Sequence, residues 1–506
     1  NLADADVPPG LGRGAIVSMK ARLMPPPPPA VPGAYDFERV AWFAVLGATG
    51  RGFAPVTVAR AAPPGSDLRA ALTAHITQRL PGSAGGVAAA LATGDEGAIA
   101  EADADAMRRA GLAHLLSVSG LHITAVVGAT MLLVLRLLAL SPWLALRTRL
   151  PMLAAIAGAG AAVGYTLLTG SQVPTIRSCV AALMVLTALA LGREAMTLRL
   201  VATGAMIVML LWPETIAGPS FQLSFAAITS IIALHEHPRI IRWFERHDES
   251  WLRRTVRSGA SLLLTGIVVE AALMPIAVYH FHKAGLYGAL VNIVAIPLTT
   301  FVIMPLEALA LLADIIGVGA PFWWGAGAAL HALLWLARFV SAAPGAAMML
   351  PAMPTGAFAA MIVGGLWIAL WRTRWRWLGG VPIMIGALWA VTTPAPDLLV
   401  TGDGRHVALR TPQGLALLRE RAGDYTRSTL SENAGVDGDP LALEDVTDSR
   451  CSRDACVVDW RPANAPRHRP IRILSTRSVY AIPYDRLIAA CTAADIVISE
   501  RGLPRG

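Results

Sequence analysis

Five side chains able to bond water, an anion or a proton stand in one apolar stretch. They are His114, Ser117, Ser119, His122 and Thr124, within GLAHLLSVSGLHITAVVG, Gly111 to Gly128. At membrane depth no water satisfies such groups, so they face protein or a wet cavity. On one straight helix they would spread over roughly 220° of the circumference. A single lumen-facing stripe is narrower than that. The expectation is a helix bent or broken near Ser119 and Gly120, where glycine lifts the steric bar to unusual backbone angles. Broken helices inside a bundle commonly build a path at mid-membrane. Both imidazoles are then expected to look into a wet lumen.

Other polar residues sit in apolar runs. Arg177, in SQVPTIRSCVAAL, snorkels, pairs or lines a wet path, because a bare arginine at the membrane centre costs roughly 2.5–3.5 kcal/mol. On a path it would attract phosphate. Gln222, Ser224 and Ser230, in PSFQLSFAAITS, either bond between helices or face the path. Asn292 lies among Pro275, Pro297 and Pro305, whose rings free backbone groups for it to bond. Glu270, the one acid of its span, is expected to pair with a histidine or arginine, and Glu307 and Asp314 to lie near a membrane edge. The four cysteines form no CxxC pair and no His–Cys array. Cys451 and Cys456 could join in a disulfide if that part is periplasmic. No GxxxxGK[ST] loop is present. The expectation is therefore no metal, no cofactor and no covalent chemistry by this chain.

The elements that must hold these groups are membrane helices. Charged residues make up 15% and hydrophobic ones 55% of the 506 residues, against about 25% charged in soluble domains. Mean hydropathy is +0.55. The net charge of +8 fits nucleic-acid binding, or simply arginine in cytoplasmic loops. Apolar runs long enough to span start at Leu112, Leu150, Pro174, Leu198, Pro219, Ser258, Gly288, Pro321, Ala357 and Leu378, about ten crossings. Arginines crowd alternate loops: Arg147 and Arg149, Arg193 and Arg199, Arg239 to Arg257 (Arg246 among them), and Arg372 to Arg376. With basic loops in the cytoplasm, both soluble ends fall outside.

Before the first span, Leu68, Leu72, Ile76 and Leu80 mark an amphipathic helix capped by Ser66, suited to the membrane interface or the bundle rim. Near the start, Val17 to Leu23 alternate as a half-buried strand, and Pro25 to Pro29 form a stiff spacer. Trp42 and Phe43 read as interfacial anchors or core. After Thr392 the chain turns polar. Asp397 to Glu420 reads as strands around turns, and RPIRILSTR with YDRLIAACTAADIVIS as strand, helix, strand. The chain begins at Asn1 without methionine and stops just after ADIVIS, which reads as a piece of a longer protein.

Several of these stretches, in order, resemble the ComEC family of competence proteins. HLLSVSGLHI resembles its signature, and Ala90 to Gly111 its run into that signature. PSFQLSFAA resembles its GFQLSFAA segment, and Glu270, His280, His282, Lys283, Asn292 and Pro297 occupy surroundings similar to another. PGAYDFER, from Pro32, resembles the PGxYDFxR part of an extracytoplasmic OB-like domain. There Tyr35, Phe37 and Arg39 would be the residues to stack bases and meet phosphate. In the family the tail position is often a metallo-β-lactamase-like domain, but its HxHxDH metal motif is not found here. The tail holds only His406 and His468.

The resemblance implies a mostly α fold: a polytopic membrane helix bundle, some helices broken, with a small β-rich, partial OB-like N-terminal periplasmic domain. A C-terminal α/β metallo-β-lactamase-like domain lacking metal ligands completes it. The expected divisions are residues 1–62, the OB-like part; 63–110, an interfacial helical segment; 111–392, the transmembrane channel; and 393–506, the tail. The implied function is an inner-membrane channel for single-stranded DNA in natural transformation. Its path would use His114, Ser117, Ser119, Gly120, His122, Arg177, Gln222, Ser224 and Asn292. Membrane lipids surround it, and a periplasmic DNA receptor and a cytoplasmic helicase-type motor are the implied partners. A membrane-anchored metallo-hydrolase with a degenerate catalytic part and a small-molecule permease are the alternatives. Metal ligands mark the first, and a lumen too narrow for a nucleic-acid strand the second.

Overall fold

A computed structural model describes the chain apart from residues 1–7, 13, 62, 64–66, 193–196, 245–249, 420–421, 462–468, 479–481, 501 and 504–506. Ser66, Arg193, Arg246 and His468 therefore lie outside the described residues. The N-terminal elements are β1 (Ile16–Met24), α1 (Phe37–Phe43) and β2 (Thr49–Arg60). Next come α2 (Leu68–Arg79), α3 (Ser83–Thr93), α4 (Glu101–Arg109), α5 (Ala113–Leu116), α6 (Gly120–Ala139), α7 (Pro142–Arg147) and α8 (Leu150–Leu168). They are followed by α9 (Val173–Ala190), α10 (Leu198–Leu211), α11 (Pro219–His235), α12 (Pro238–Phe244) and α13 (Trp251–Phe281). After the two-residue β3 (Lys283–Ala284), α14 (Gly288–Leu298) runs through a π-turn, Thr299–Ile303, into α15 (Met304–Asp314). Then come α16 (Ala320–Ser341), β4 (Met348–Met349), α17 (Thr355–Leu370) and α18 (Gly380–Thr392). The fold is mostly helical, and among the described residues five helices are long and apolar enough to cross a membrane: α6, α8, α9, α13 and the composite Gly288–Asp314. α10, α11 and α17 are shorter apolar helices.

The chain divides into two compact units, 1–21 with 52–273 and 285–347, and 22–51 with 274–284 and 348–506. In the first, the largest core gathers Ile76 of α2, Val87 and Leu91 of α3, Leu112 and Leu115 at the start of the signature, and Trp323, Leu330 and Leu333 of α16. The stretch 63–110, expected at the membrane interface or the bundle rim, supplies much of this core. The reason lies in α3: alanine, glycine and valine on every side leave no polar face, and nearly all of it is buried. Gly86 lets the following loop lie on α3; a Cβ there would come within 2.7 Å of the Ala98 and Ile99 backbone. α2 is amphipathic, as its spacing implies, and the Asp67 carboxylate caps it, accepting Ala70 N–H at 3.0 Å.

In the second unit the strands β5 (Leu398–Val400), β6 (Val407–Thr411), β7 (Gly414–Leu417) and β8 (Leu441–Ala442) form one four-stranded sheet. The strands β9 (Ser449–Cys451), β10 (Ala455–Trp460), β11 (Ile471–Thr476) and β12 (Ile496–Ile498) form another. α19 (Asp424–Ala434) and α20 (Tyr484–Thr492) accompany them. Along β6 the side chains alternate: Val407 and Leu409 enter a core shared with Val458, Trp460 and Ile473 of the other sheet, while Ala408 meets Leu430 and Ala434 of α19. The order is helix, sheet, sheet. β11, α20 and β12 make the expected strand–helix–strand, with β11 and β12 parallel. Cys451 and Cys456 face each other across β9 and β10 and are joined. The segment after the proline spacer belongs to this unit: Val31 packs against α19 and the first sheet.

The N-terminal strands form a two-stranded sheet, with β1 almost wholly exposed. Trp42 (80%) and Phe43 (50%) are exposed, so neither serves as core.

Candidate functional site

The signature stretch is broken where its polar residues require. Gly111 turns in the left-handed region (φ +77°) and lies so close to Gly288 that a Cβ would stand 3.1 Å from its Cα. One turn of helix, α5, follows. Ser117 and Ser119 are then extended, and α6 starts at Gly120. The new helix start is fixed locally. Ser119 N–H donates to His122 Nδ1 at 3.0 Å, and the Ser119 hydroxyl lies 3.3 Å from the same nitrogen. This is a capping box with histidine in place of the usual glutamate or glutamine. Because Nδ1 accepts, the ring proton sits on Nε2, which is buried without a partner among the described residues.

The five polar residues differ in exposure. His122 is fully buried, while His114 and Thr124 are exposed and Ser117 and Ser119 are half-buried. The two imidazoles thus stand in different surroundings, His122 inside the protein and His114 at its surface. His122 is drawn inward because its ring must reach back over the first turn to close the cap.

Around the break three helix starts meet. Gly120, first residue of α6, lies against Ser178 of α9; a Cβ there would be 3.6 Å from its hydroxyl. Thr175 of α9 approaches the Val118 carbonyl at 3.4 Å. Arg177, one turn into α9, donates to the hydroxyl of Ser220 in the first turn of α11. Its Nε is buried and unpartnered among the described residues. The N-terminal ends of α6, α9 and α11 thus share one neighbourhood. Each carries unsatisfied N–H groups and the positive end of a helix dipole, worth about half an elementary charge. With Arg177 among them, the arrangement is built to receive an anion.

The remaining path candidates fall elsewhere. Gln222 Nε2 donates to the Ile216 carbonyl at 2.9 Å, on the turn that leads into its own helix. Ser224 is half-buried on α11. Asn292 lies on α14, its Oδ1 buried and unpartnered among the described residues. Glu270, expected to pair with a base, instead accepts Ala289 N–H at 2.6 Å and so caps α14. In the second unit, Tyr35 and Arg39 are exposed and Phe37 is half-buried.

Tertiary contacts supply groups that no spacing reveals. Asp103 and Arg338 form a two-pronged pair at 2.6 and 2.9 Å, and the guanidinium holds the Asp103 carboxyl below the usual carboxylate range. Asp314 takes His75 Nε2 at 2.7 Å, Trp323 Nε1 at 2.7 Å and Arg79 at 3.2 Å, tying α2 to α15 and α16. Arg69 and Gln172 both donate to the Gly94 carbonyl at the end of α3, and Arg69 also to that of Thr93. In the tail, Glu500 is bound by Arg405 at 3.0 Å and Arg419 at 3.1 Å. Among the described residues no three histidine, cysteine or acidic side chains gather as a metal site.

Comparison with known proteins agrees with the order of motifs. The family model described as "Competence protein" matches residues 91–375. The chain is 32% identical over 344 residues to competence protein ComA of Neisseria gonorrhoeae, covering 67% of this chain and 45% of that protein. It is 26% identical over 378 residues to the uncharacterized protein YcaI of Escherichia coli (strain K12), covering 73% and 45%. It is 22% identical over 240 residues to ComE operon protein 3 of Bacillus subtilis (strain 168), covering 47% and 28%. The matches thus span less than half the length of these relatives. No solved structure matches. With its signature break, its apolar helices and a family match over more than half its length, this chain belongs to the ComEC family of competence proteins.

Proposed function

We propose, from its membership in the competence family, that this chain takes part in DNA uptake for transformation. We propose that this chain forms the inner-membrane path by which single-stranded DNA passes inward, and that the strand first meets the mouth formed by the starts of α6, α9 and α11. The observation that carries this reading is Arg177 set among three helix N-termini. Helix ends and a guanidinium bind phosphate without reading bases, as a general uptake path requires. Other arginines lie toward or beyond the opposite ends of α6 and α9: Arg136 late in α6, Arg147 and Arg149 before α8, and Arg199 early in α10. By the positive-inside rule the mouth then faces the periplasm. The Cys451–Cys456 disulfide supports a tail on that same oxidising side.

The break itself acts as a joint in this reading, with His122 locking the start of α6 and not lining the lumen. The two-stranded N-terminal sheet is this chain's share of an OB-like outer domain, with Tyr35, Phe37 and Arg39 for passing bases and phosphates. The helix–sheet–sheet order of the tail supports a metallo-β-lactamase-like origin, and Glu500 between two arginines fits a domain that no longer hydrolyses. The passage needs no covalent step. The force comes from a cytoplasmic helicase-type motor, and the strand from a periplasmic DNA receptor.

The test replaces the corresponding gene of a transformable bacterium with the full-length gene for this protein. Uptake of labelled DNA into a nuclease-protected form is then measured at matched expression. Losing one phosphate contact of about 1.4 kcal/mol lowers uptake about tenfold in Arg177→Ala. Arg177→Lys is expected to lose less. Wild-type uptake in Arg177→Ala would remove the mouth from the path.

A further inference from the structure

We propose that Glu307 is a proton-exchanging site inside the bundle, served by water held along one face of the α14–α15 helix. The composite helix Gly288–Asp314 is long and apolar enough to cross a membrane, yet it carries a file of polar atoms. Asn292 Oδ1, Thr299 Oγ1, Thr300 Oγ1 and Glu307 Oε1 are all buried, and none has a partner among the described residues. They recur about every seven or eight residues, so they lie on one face, as two turns of helix return to the same side. At about 1.5 Å per residue the file is roughly 22 Å long, most of the thickness of a bilayer core. α6 packs on the π-turn in the middle of the file. A π-turn in a helix leaves carbonyls without their usual donors and is frequently found at functional positions.

Leaving a buried polar atom unbonded costs about 1–3 kcal/mol. Four such atoms along one helix are far better explained by shared water than by four separate penalties. Within such a file Glu307 is the one acid. Its side chain is 4% exposed. No arginine or lysine is bonded to it among the described residues, so the charged form has no counter-ion there. The groups around it cannot supply one. α3 has no titratable side chain. On α8, Tyr165 lies within electrostatic reach of Glu307, and it is a neutral phenol whose hydroxyl donates to the Leu91 carbonyl. On α16, His331 Nδ1 bonds Gly327 O at 2.6 Å, and Arg338 is held by Asp103. Glu307 therefore rests as the neutral acid. It passes its O–H proton to a neighbouring water and regains one from the file, with no bond to carbon changed. Asp314, two turns on, is the contrast: three donors hold it and no file leads to it.

The test does not need DNA. The full-length protein in lipid nanodiscs is treated with dicyclohexylcarbodiimide, an apolar reagent that modifies protonated carboxyls, and the labelled peptide is identified by mass. Label is expected on Glu307 near neutral pH and is lost in Glu307→Gln. Its rate should fall about tenfold per pH unit once the acid ionises in alkali. Thr299→Val with Thr300→Val, which removes two hydroxyls from the file, should leave the label in place but slow its response to a pH jump. Glu307→Asp keeps an acid in the site and should still label. Absence of label at every pH, or label that ignores pH, overturns the proposal. These outcomes are independent of whether the chain conducts DNA.

Discussion

The cap that starts α6 gives the sharpest prediction. His122→Leu keeps most of the side-chain volume, so cavity costs stay small. It removes the Nδ1 acceptor 3.0 Å from Ser119 N–H and leaves that donor unbonded in a half-buried turn. The cost of one such orphan is about 1–3 kcal/mol. At about 2 kcal/mol, with 1.4 kcal/mol per tenfold, the first amides of α6 should exchange with deuterium about thirtyfold faster. Ser119→Ala should cost about 1 kcal/mol, roughly fivefold. Both changes loosen one turn, so the double variant should fall short of the sum. His122→Gln is the decisive control, because glutamine at this position closes an ordinary capping box. It should restore protection to within a few-fold. The assay is hydrogen exchange with mass spectrometry on the protein in nanodiscs, following peptides that cover Leu116 to Val127. If His122→Leu exchanges as wild type does, or His122→Gln as fast as His122→Leu, the histidine is not holding the helix start.

Four shorter predictions follow from the same contacts. Gly86→Ala drives a Cβ to 2.7 Å from the Ala98 and Ile99 backbone, so α3 or the loop must shift; a loss of about 1–3 kcal/mol should appear as a lower midpoint on heating. Arg338→Ala strands the Asp103 carboxylate, whose side chain is 9% exposed; because Arg338 itself is 61% exposed, the cost is discounted to about 1–2 kcal/mol, and Asp103→Asn added to it should recover most of the loss in a thermal-unfolding cycle. In the tail, the bond from Arg472 holds the Asp459 carboxyl below its usual range, and burial holds the His406 imidazole below its own. Both are depressed in the folded state, so their stabilisation is present above the unfolded values, about 3.9 and 6.5, and is lost as pH falls through the lowered ones. Protection of β10 and β11 amides, their exchange taken relative to the intrinsic rate at each pH, should therefore be steady above about pH 6.5 and fall toward acid, with Asp459→Asn removing the more acid limb. Finally, a thiol-reactive polymer applied to the denatured protein without reductant should add to Cys179 and Cys491 alone, and reductant should expose Cys451 and Cys456 as well.

What the residues alone determined was local. Polar side chains spread too widely for one helix stripe, followed by Gly120, implied a break, and the chain breaks there. Alternation along Asp397 to Glu420 and the strand–helix–strand after Arg469 implied the tail's elements, which are present. The apolar runs implied membrane helices, and five of them reach spanning length. These inferences succeed because periodicity and glycine act within one or two turns of chain. Tertiary structure decided which polar group does what. The i, i+3 spacing of Ser119 and His122 is compatible with a cap, and the fold uses it as one. Glu270 read as an ion-pair partner, but its nearest donor is a backbone N–H contributed by α14. The core role of α3 was hidden because a uniformly small, apolar segment has no face to betray what it packs against. The meeting of three helix starts at Arg177, and the file that ends at Glu307, depend on contacts between residues tens to hundreds of positions apart, and no local rule of spacing encodes those.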